Sequence, residues 1–424
     1  MSRKRHLILG GGSAGLAALE QIRRQTQEDE VKLVTMEPYP PYSPTSLPYL
    51  LAGRIKETDL WMYDEESLRQ GNSMLVTGKE VVHIAPEKAQ VVYRDGTVDN
   101  YDTLLIATGS EPAWPSIKGL DQVNCLGFHT LTDCRRLVSD LKDNPEVVVL
   151  GAGLVGMEVA SGLLERGCSV RIVEKELGVL PLYFDGPAEN HIREVFLQKG
   201  AHIFTGKEVS QVKSDKGRIE AMFSDGRAVE GDVLITATGV KARVSFLRDS
   251  GVGINQGILV DKQMRTNMPN IYAAGDVAAA LDFFTGEPGL NPILPAAVEQ
   301  GKVAGANMAG QPTDYKGWIS MNTFNFFGHR AFSAGLSMSL DGDYDIWEAN
   351  DSAKKQFKRL VFYEDRLVGA VLVNMEVDSG VLVHLMRKRA DMGAYKELLF
   401  ERPRDVGRWL MLELEKREAD RPVT

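Results

Sequence analysis

The sequence predicts an α/β protein: two doubly wound nucleotide-binding-type units, completed by a C-terminal α+β domain. Two glycine-rich turns, each placed after an apolar strand and before a helical pattern, predict the units. They are HLILGGGSAG at 6–15 and VVVLGAGLVG at 147–156. From Tyr315 onward no such turn recurs, and the pattern changes to alternating strands followed by helices.

In the first turn the run Leu7–Leu9 meets Gly10-x-Gly12-x-x-Gly15, and LAALEQIRR continues with helical spacing. Gly10 permits the tight turn, Gly12 lets backbone approach a pyrophosphate, and Gly15 lets the helix pack on the strand. The helix N-terminus, with unpaired N–H groups and partial positive charge, faces the phosphates. VKLVTMEP then reads as a strand ending at Glu37, whose carboxylate can accept both ribose hydroxyls of an adenosine. The second turn repeats the arrangement with Gly151, Gly153 and Gly156, the helix MEVASGLLERG and the strand SVRIVEK ending at Glu174. A carboxylate there repels a 2′-phosphate, and Lys175 offsets it only in part, so NADH is expected over NADPH. One such motif is weak in a chain of 41 glycines. Two, each answered by an acidic strand end, make two dinucleotide sites of Rossmann type.

Composition bounds what else the chain does. Hydrophobic residues at 43% and charged residues at 25% fit a globular protein. No apolar run reaches the ~20 residues of a membrane span. The basic N-terminus MSRKRHLILGGGSAG lacks a small-residue cleavage site and runs into the glycine turn, so a cytoplasmic protein is expected. A net charge of -9 argues against nucleic acid as a partner. The three cysteines, Cys125, Cys134 and Cys168, form no CxxC pair, so no disulfide framework, zinc site or iron–sulfur motif is expected, and no metal site. A redox centre must then be an external cofactor.

Further motifs add a resemblance. ATG follows an apolar strand at Ala107–Thr108–Gly109 and again at Ala237–Thr238–Gly239; NIYAAGDVA occupies 270–278, and LPAAVEQGKVAGANMAG 294–310. In order and spacing these resemble the pyridine nucleotide–disulfide oxidoreductase superfamily over nearly the whole chain. The resemblance implies FAD on the first unit and NAD(H) on the second, with the NAD domain inserted in the FAD domain. The domains then fall at 1–112 and 238–315 (FAD), 113–237 (NAD) and 316–424 (C-terminal interface domain). By resemblance Asp276 accepts from the flavin's ribityl chain, Gly275 allows close approach, and Pro295 and Ala296 lie at a helix N-terminus aimed at the flavin ring. Ser13, Ala14, Pro38, Thr45, Val82, Ala107, Thr108 and Gly109 complete the implied FAD contacts. Leu154, Val155, Thr238 and Gly239 join the NAD site. Glu158 matches a family position near the nicotinamide, where it can hold the carboxamide; the alternative is an exposed helix-start glutamate favoured by the dipole.

One departure decides the chemistry. Many members carry a redox cysteine shortly after the first acidic strand end. Here the stretch reads PYPPYSPTSLPYLLAGRI (38–55), with Thr45 and Ser46 where single-cysteine members have Cys-Gly before Leu-Pro. Hydroxyls at ordinary pKa do not perform thiolate chemistry. No His-Pro acid–base motif of the disulfide reductases occurs either. Disulfide reductase, coenzyme A disulfide reductase and cysteine-dependent peroxidase activities are disfavoured, and electrons must leave the flavin directly. The loop is similar to that of NADH-linked FAD subunits of phenylglyoxylate dehydrogenase and tungsten aldehyde oxidoreductase; rubredoxin and nitrite reductases have a related one. The resemblance implies hydride exchange with NAD(H) and single-electron exchange with an iron–sulfur partner in a multi-subunit oxidoreductase. Two alternatives stand beside it: a self-sufficient NADH oxidase or reductase of a small carrier such as rubredoxin or ferredoxin, and a slow-turnover flavoprotein scaffold.

In the C-terminal part, KRLVFYEDRLVGAVLVN (358–374) predicts a hairpin turning at Glu364–Arg366. AYKELLFERPRDVGRWLMLELEKRE predicts two helices divided at Pro403. The stretch MNTFNFFGHR (321–330) reads as core, or as a face toward a partner or the flavin. The tail LELEKREADR reads as a solvated helix end.

Overall fold

The computed structural model describes residues 3–63, 72–141, 145–215, 217–338 and 342–419. The chain divides into two compact units, one of Met1–Leu50, Ile55–Ala113 and Val240–Trp318, the other of Leu51–Arg54, Trp114–Gly239 and Ile319–Thr424.

The first unit is built on a five-stranded parallel sheet. Its order is Ile271–Ala273, Thr103–Ile106, Arg5–Leu9, Glu30–Val34, Ser73–Val76. Arg5–Leu9 is central, with Leu9 level with both Val34 and Ile106. Its last four residues, His6 to Leu9, are buried, as a strand covered on both faces requires, and Leu7–Leu9 reads as an unbroken apolar run. Helix Ser13–Gln25 covers one face beside helix Leu294–Met308. The two helices meet backbone to backbone: a Cβ on Gly301 would lie 2.2 Å from the Ala14 carbonyl oxygen, and one on Gly305 2.6 Å from that of Ala18. Strands Val81–Ala85, Gln90–Tyr93 and Val98–Asn100 form a separate antiparallel sheet. Where the chain leaves this unit and returns to it, Ser110–Pro112 and Val240–Ala242 pair antiparallel, Ser110 opposite Ala242.

The second unit holds another five-stranded parallel sheet, ordered His202–Phe204, Ser169–Val173, Glu146–Leu150, Val233–Thr236, Cys125–Leu126. An antiparallel trio, Val209–Asp215, Arg218–Phe223 and Ala228–Gly231, packs beside it. The C-terminal residues add a five-stranded antiparallel sheet in the order Met321–Phe326, His329–Gly335, Arg366–Val373, Gln356–Tyr363, Asp345–Asp351. The Gln356–Tyr363/Arg366–Val373 hairpin turns at Glu364 and Asp365, both at positive φ (45° and 59°), the twist a two-residue hairpin favours.

Contacts join this sheet to the rest of the second unit. Burial alternates along Met321–Phe326, so Phe324 and Phe326 point inward and stack on each other at 4.9 Å. Phe196, on helix Gly186–Gln198, stacks on both. The phenylalanines of MNTFNFFGHR are thus core at these two positions. Arg359, buried on the hairpin, pairs with Asp185 at 2.7 Å and Glu348 at 2.5 Å and donates to the Ser337 carbonyl at 3.0 Å. The two last helices are Lys396–Glu401 and Pro403–Ala419, with Pro403 opening the second, where its missing N–H costs nothing. The end of the tail LELEKREADR lies outside the described residues. No helix among the described residues is long and apolar enough to cross a membrane.

One expectation is corrected. The strand expected to end at Glu37 stops at Val34, whose carbonyl accepts the Gly10 N–H at 2.8 Å. In the second unit Val173 does the same for Gly151, and Glu174 follows at once. Thr35 therefore holds the position in the first unit that Glu174 holds in the second, and Glu37 lies two residues beyond it.

Candidate functional site

The two glycine turns have the same construction. At Gly10, φ is +117° and a Cβ would fall 2.0 Å from the Ala107 carbonyl oxygen; at Gly151, φ is +101° and the distance to the Ala237 oxygen is 2.5 Å. A Cβ on Gly15 would lie 2.0 Å from the Gly10 oxygen, and one on Gly156 equally 2.0 Å from that of Gly151. No L side chain fits these four positions. Gly12 and Gly153 differ: each caps its helix in extended conformation, and a Cβ there would meet nothing within 4 Å. Neither helix has an acidic residue in its first turn. Each strand–helix corner thus leaves open space against the N–H groups of a helix start, a cradle shaped for a pyrophosphate.

Around the first turn, Ala107 is buried, its N–H bonded to the Leu9 carbonyl at 2.8 Å. Thr108 donates through Oγ1 to the Arg243 carbonyl at 3.1 Å, and Gly109 turns at φ +67°. Gly275, φ +81°, approaches helix Ser13–Gln25 so closely that its Cβ would stand 3.0 Å from that of Ala14. The buried Gln300 side chain accepts the Gly275 N–H at 2.8 Å. Asp276 accepts from the Ser110 hydroxyl at 3.0 Å. Pro295 and Ala296 lie in the first turn of helix Leu294–Met308, Pro295 exposed and Ala296 buried. Sequence reasoning missed Ser110 and Gln300. Ser110 directly follows the ATG turn, a usable signal; Gln300 sits inside an alanine-rich helix and offered none.

Glu37 accepts from the Tyr42 hydroxyl at 3.2 Å. Pro38 follows it and is exposed. Thr45 is exposed, its hydroxyl 3.0 Å from that of Ser43, which also accepts from Ser46 at 3.2 Å. The loop in the cysteine position is a small hydroxyl network. Val82 stands exposed on strand Val81–Ala85 of the antiparallel sheet.

Around the second turn, Glu174 is 7% exposed. Its two oxygens accept the Ala152 N–H at 2.7 Å and the Glu176 N–H at 3.0 Å, which ties the acid to the glycine turn itself. Lys175 is exposed and turns to Glu176 at 3.8 Å. Leu154 and Val155 form the helix start, Val155 exposed. Thr238 stands hydroxyl to hydroxyl with Thr236 at 3.2 Å, and Gly239 turns at φ +111°. Glu158 is not the exposed helix-start residue of the alternative. Burial pushes its carboxyl up to about 7, and no cation or hydrogen-bond donor meets it among the described residues.

Burial raises Cys125 to about 12 and raises Cys168; Cys134 is fully buried. All three are free. No cluster of metal-ligating side chains occurs among the described residues.

Glu158 gives a pH prediction. Its carboxyl is neutral below about pH 7 and ionised above. A neutral carboxyl can donate to a carboxamide oxygen, whereas an ionised one only accepts. The profile of kcat/KM for NADH, which reports the free enzyme, should therefore change through about pH 7. In Glu158→Gln that step should vanish. A step of the same size in the variant would assign the titration elsewhere.

The two corners define a protein that binds two dinucleotides on one chain. Pyridine nucleotide-disulphide oxidoreductases match residues 4–304, and the rubredoxin NAD+ reductase C-terminal domain matches 321–390. The chain belongs to the pyridine nucleotide-disulphide oxidoreductase family. It is 34% identical over 96% of its length, and 97% of the relative's, to the NADH-dependent phenylglyoxylate dehydrogenase subunit epsilon of Aromatoleum evansii. It is 35% identical over 72% of its length, and 70% of the relative's, to an NADH oxidase of Methanocaldococcus jannaschii. Among solved structures it resembles an NAD-dependent persulfide reductase from A. fulgidus, with TM-score 0.84 and 26% identity over 92% of this chain and 78% of that one. The chain is accordingly an FAD-dependent NADH oxidoreductase, and the paired glycine cradles fit both cofactors.

Proposed function

We propose that the chain exchanges electrons between NAD(H) and an iron–sulfur protein, as the NAD-linked flavin subunit of a multi-subunit cytoplasmic oxidoreductase. The observation that carries this reading is the loop at 38–55. It holds Thr45 and Ser46 and no cysteine, in a chain that matches a dehydrogenase subunit almost end to end. With no thiol relay beside the cofactor, the electron partner must be another protein or a small oxidant.

FAD, when bound, supplies the exchange between hydride pairs and single electrons. On this reading the FAD domain is formed by 1–112 and 238–315. The N–H groups opening helix Ser13–Gln25 hold the pyrophosphate, with Gly12 leaving room for it. Asp276, oriented by Ser110, accepts from the ribityl hydroxyls. Pro295 and Ala296 present a helix start, with its partial positive charge, toward the ring. The NAD domain is 113–237. There Gly153 leaves the phosphate space, Glu174 accepts from the adenosine ribose, and Glu158 holds the carboxamide. The 316–424 domain serves the partner.

A direct test is anaerobic. The purified yellow protein should bleach with NADH and then reduce a two-cluster [4Fe–4S] ferredoxin, or run the reverse reaction from reduced ferredoxin and NAD+. Protein that NADH cannot bleach would overturn the cofactor reading. Bleaching with fast reoxidation by oxygen and none by ferredoxin would instead favour an NADH oxidase, the activity named for the M. jannaschii relative.

A further inference from the structure

A cleft of about 710 Å³ opens in the C-terminal domain, away from either glycine turn in sequence. Its wall begins at the hairpin turn Phe327–Gly328, both at positive φ (48° and 83°), which delivers His329 and Arg330. Asn374 fixes them: its Oδ1 lies 3.2 Å from His329 Nδ1 and accepts the Arg330 N–H at 3.2 Å. The opposite wall is helix Pro403–Ala419, which contributes Arg404 and Arg408 one turn apart. Lys354 completes the cationic lining, and Glu376 and Asp378 are its carboxylates.

These charges are arranged to accept a further anion. Arg404 reaches Glu376 at 3.3 Å and Arg408 reaches Asp378 at 3.3 Å, both pairs in solvent, where ion pairs hold weakly and exchange partners. Lys354 pairs with Asp351 at 3.4 Å. Arg330 has no carboxylate among the described residues; its guanidinium touches only the Ser379 hydroxyl, at 3.5 Å. Four cationic side chains thus line one cleft of a chain whose net charge is -9. Beyond Arg408 the same helical stripe continues to Leu412, 51% exposed, with Trp409 beside it at 46%. Arginine and tryptophan are the side chains that interfaces favour, and both stand on this helix beside the cleft.

We propose that this cleft docks an acidic segment of the electron-transfer partner, its carboxylates taken by Arg330, Arg404 and Arg408 and an apolar neighbour by Leu412. This rests on the partner reading above. Charge complementarity selects the occupant: against a chain of net charge -9, the cationic lining of this cleft is what attracts and steers an acidic partner.

The test uses the full-length flavin-loaded protein and fluorescein-labelled octaglutamate, followed by anisotropy. Octaglutamate should bind at low salt and weaken at about 0.3 M salt. Arg330→Glu with Arg404→Glu should weaken it by about tenfold or more. The same pair should cut kcat/KM for the ferredoxin by a similar factor. It should leave NADH bleaching and reduction of menadione, an uncharged acceptor, unchanged. The milder Arg330→Gln with Arg404→Gln should give an intermediate loss, which guards against a folding defect. Octaglutamate binding that the variants do not change, or that inorganic phosphate displaces at equal concentration, would overturn the docking site. Lost bleaching in the wild-type protein would strike the cofactor reading instead.

Discussion

Replacing Gly15 by valine is expected to give protein that holds no flavin and melts about 5 °C or more below the wild type. The new Cβ would stand 2.0 Å from the Gly10 carbonyl oxygen, a backbone atom that cannot swing aside. To relieve the clash, helix Ser13–Gln25 must lift off its strand. It is held on the other side as well, because Gly301 and Gly305 press against the backbone of Ala14 and Ala18. Lifting one helix therefore opens two interfaces and the phosphate cradle together. Gly12→Ala separates the two effects. Its Cβ meets nothing within 4 Å, so the melting temperature of the flavin-free protein should hold, while flavin retention falls because the methyl enters the phosphate space. Flavin-to-protein absorbance ratios and thermal melts, taken on both variants, decide it. A Gly15→Val protein as yellow and as stable as the wild type would mean the corner is not the flavin site.

The glycine turns were legible because their geometry is local. Each needs a strand, a positive-φ residue and a helix start within ten residues, and the sequence alternates accordingly. The end of the second strand was placed too late because threonine and methionine prolong the apparent strand, whereas the strand stops at Val34, whose carbonyl takes the Gly10 N–H. Nothing in Thr35 marks it as the counterpart of Glu174. The half-burial of Glu158 was equally hidden, since a helix-start glutamate is usually solvated. The tie between the C-terminal sheet and the rest of the second unit rests on long-range pairs: Arg359 with Asp185, His191 with Asn350 at 2.7 Å, Phe196 with Phe324. A basic residue on an apolar hairpin and a phenylalanine on a helix do not announce partners more than a hundred residues away. The cleft at Arg330 was only half legible: MNTFNFFGHR stood out for its aromatics, but its cations matter only once helix Pro403–Ala419 brings two more.

Glu174→Ala is expected to lower kcat/KM for NADH by about 10- to 100-fold while leaving flavin content unchanged. Two losses add. The carboxylate that would accept the ribose hydroxyls goes, and so does the anchor of the turn, since Glu174 accepts the N–H of Ala152, which lies between Gly151 and Gly153. The second loss leaves buried amides at Ala152 and Glu176 without their acceptor. NADPH separates the two. Turn loosening weakens both dinucleotides alike, but removing the negative charge relieves repulsion of a 2′-phosphate only for NADPH. The NADH-to-NADPH ratio of kcat/KM should therefore fall, with Lys175 left as a cation beside the phosphate. Glu174→Gln, which keeps one oxygen for the turn and drops the charge, should shift the ratio in the same direction with a smaller loss of NADH activity. A ratio that stays constant in both variants would leave Glu174 a purely structural brace and move cofactor choice to the loop beyond it.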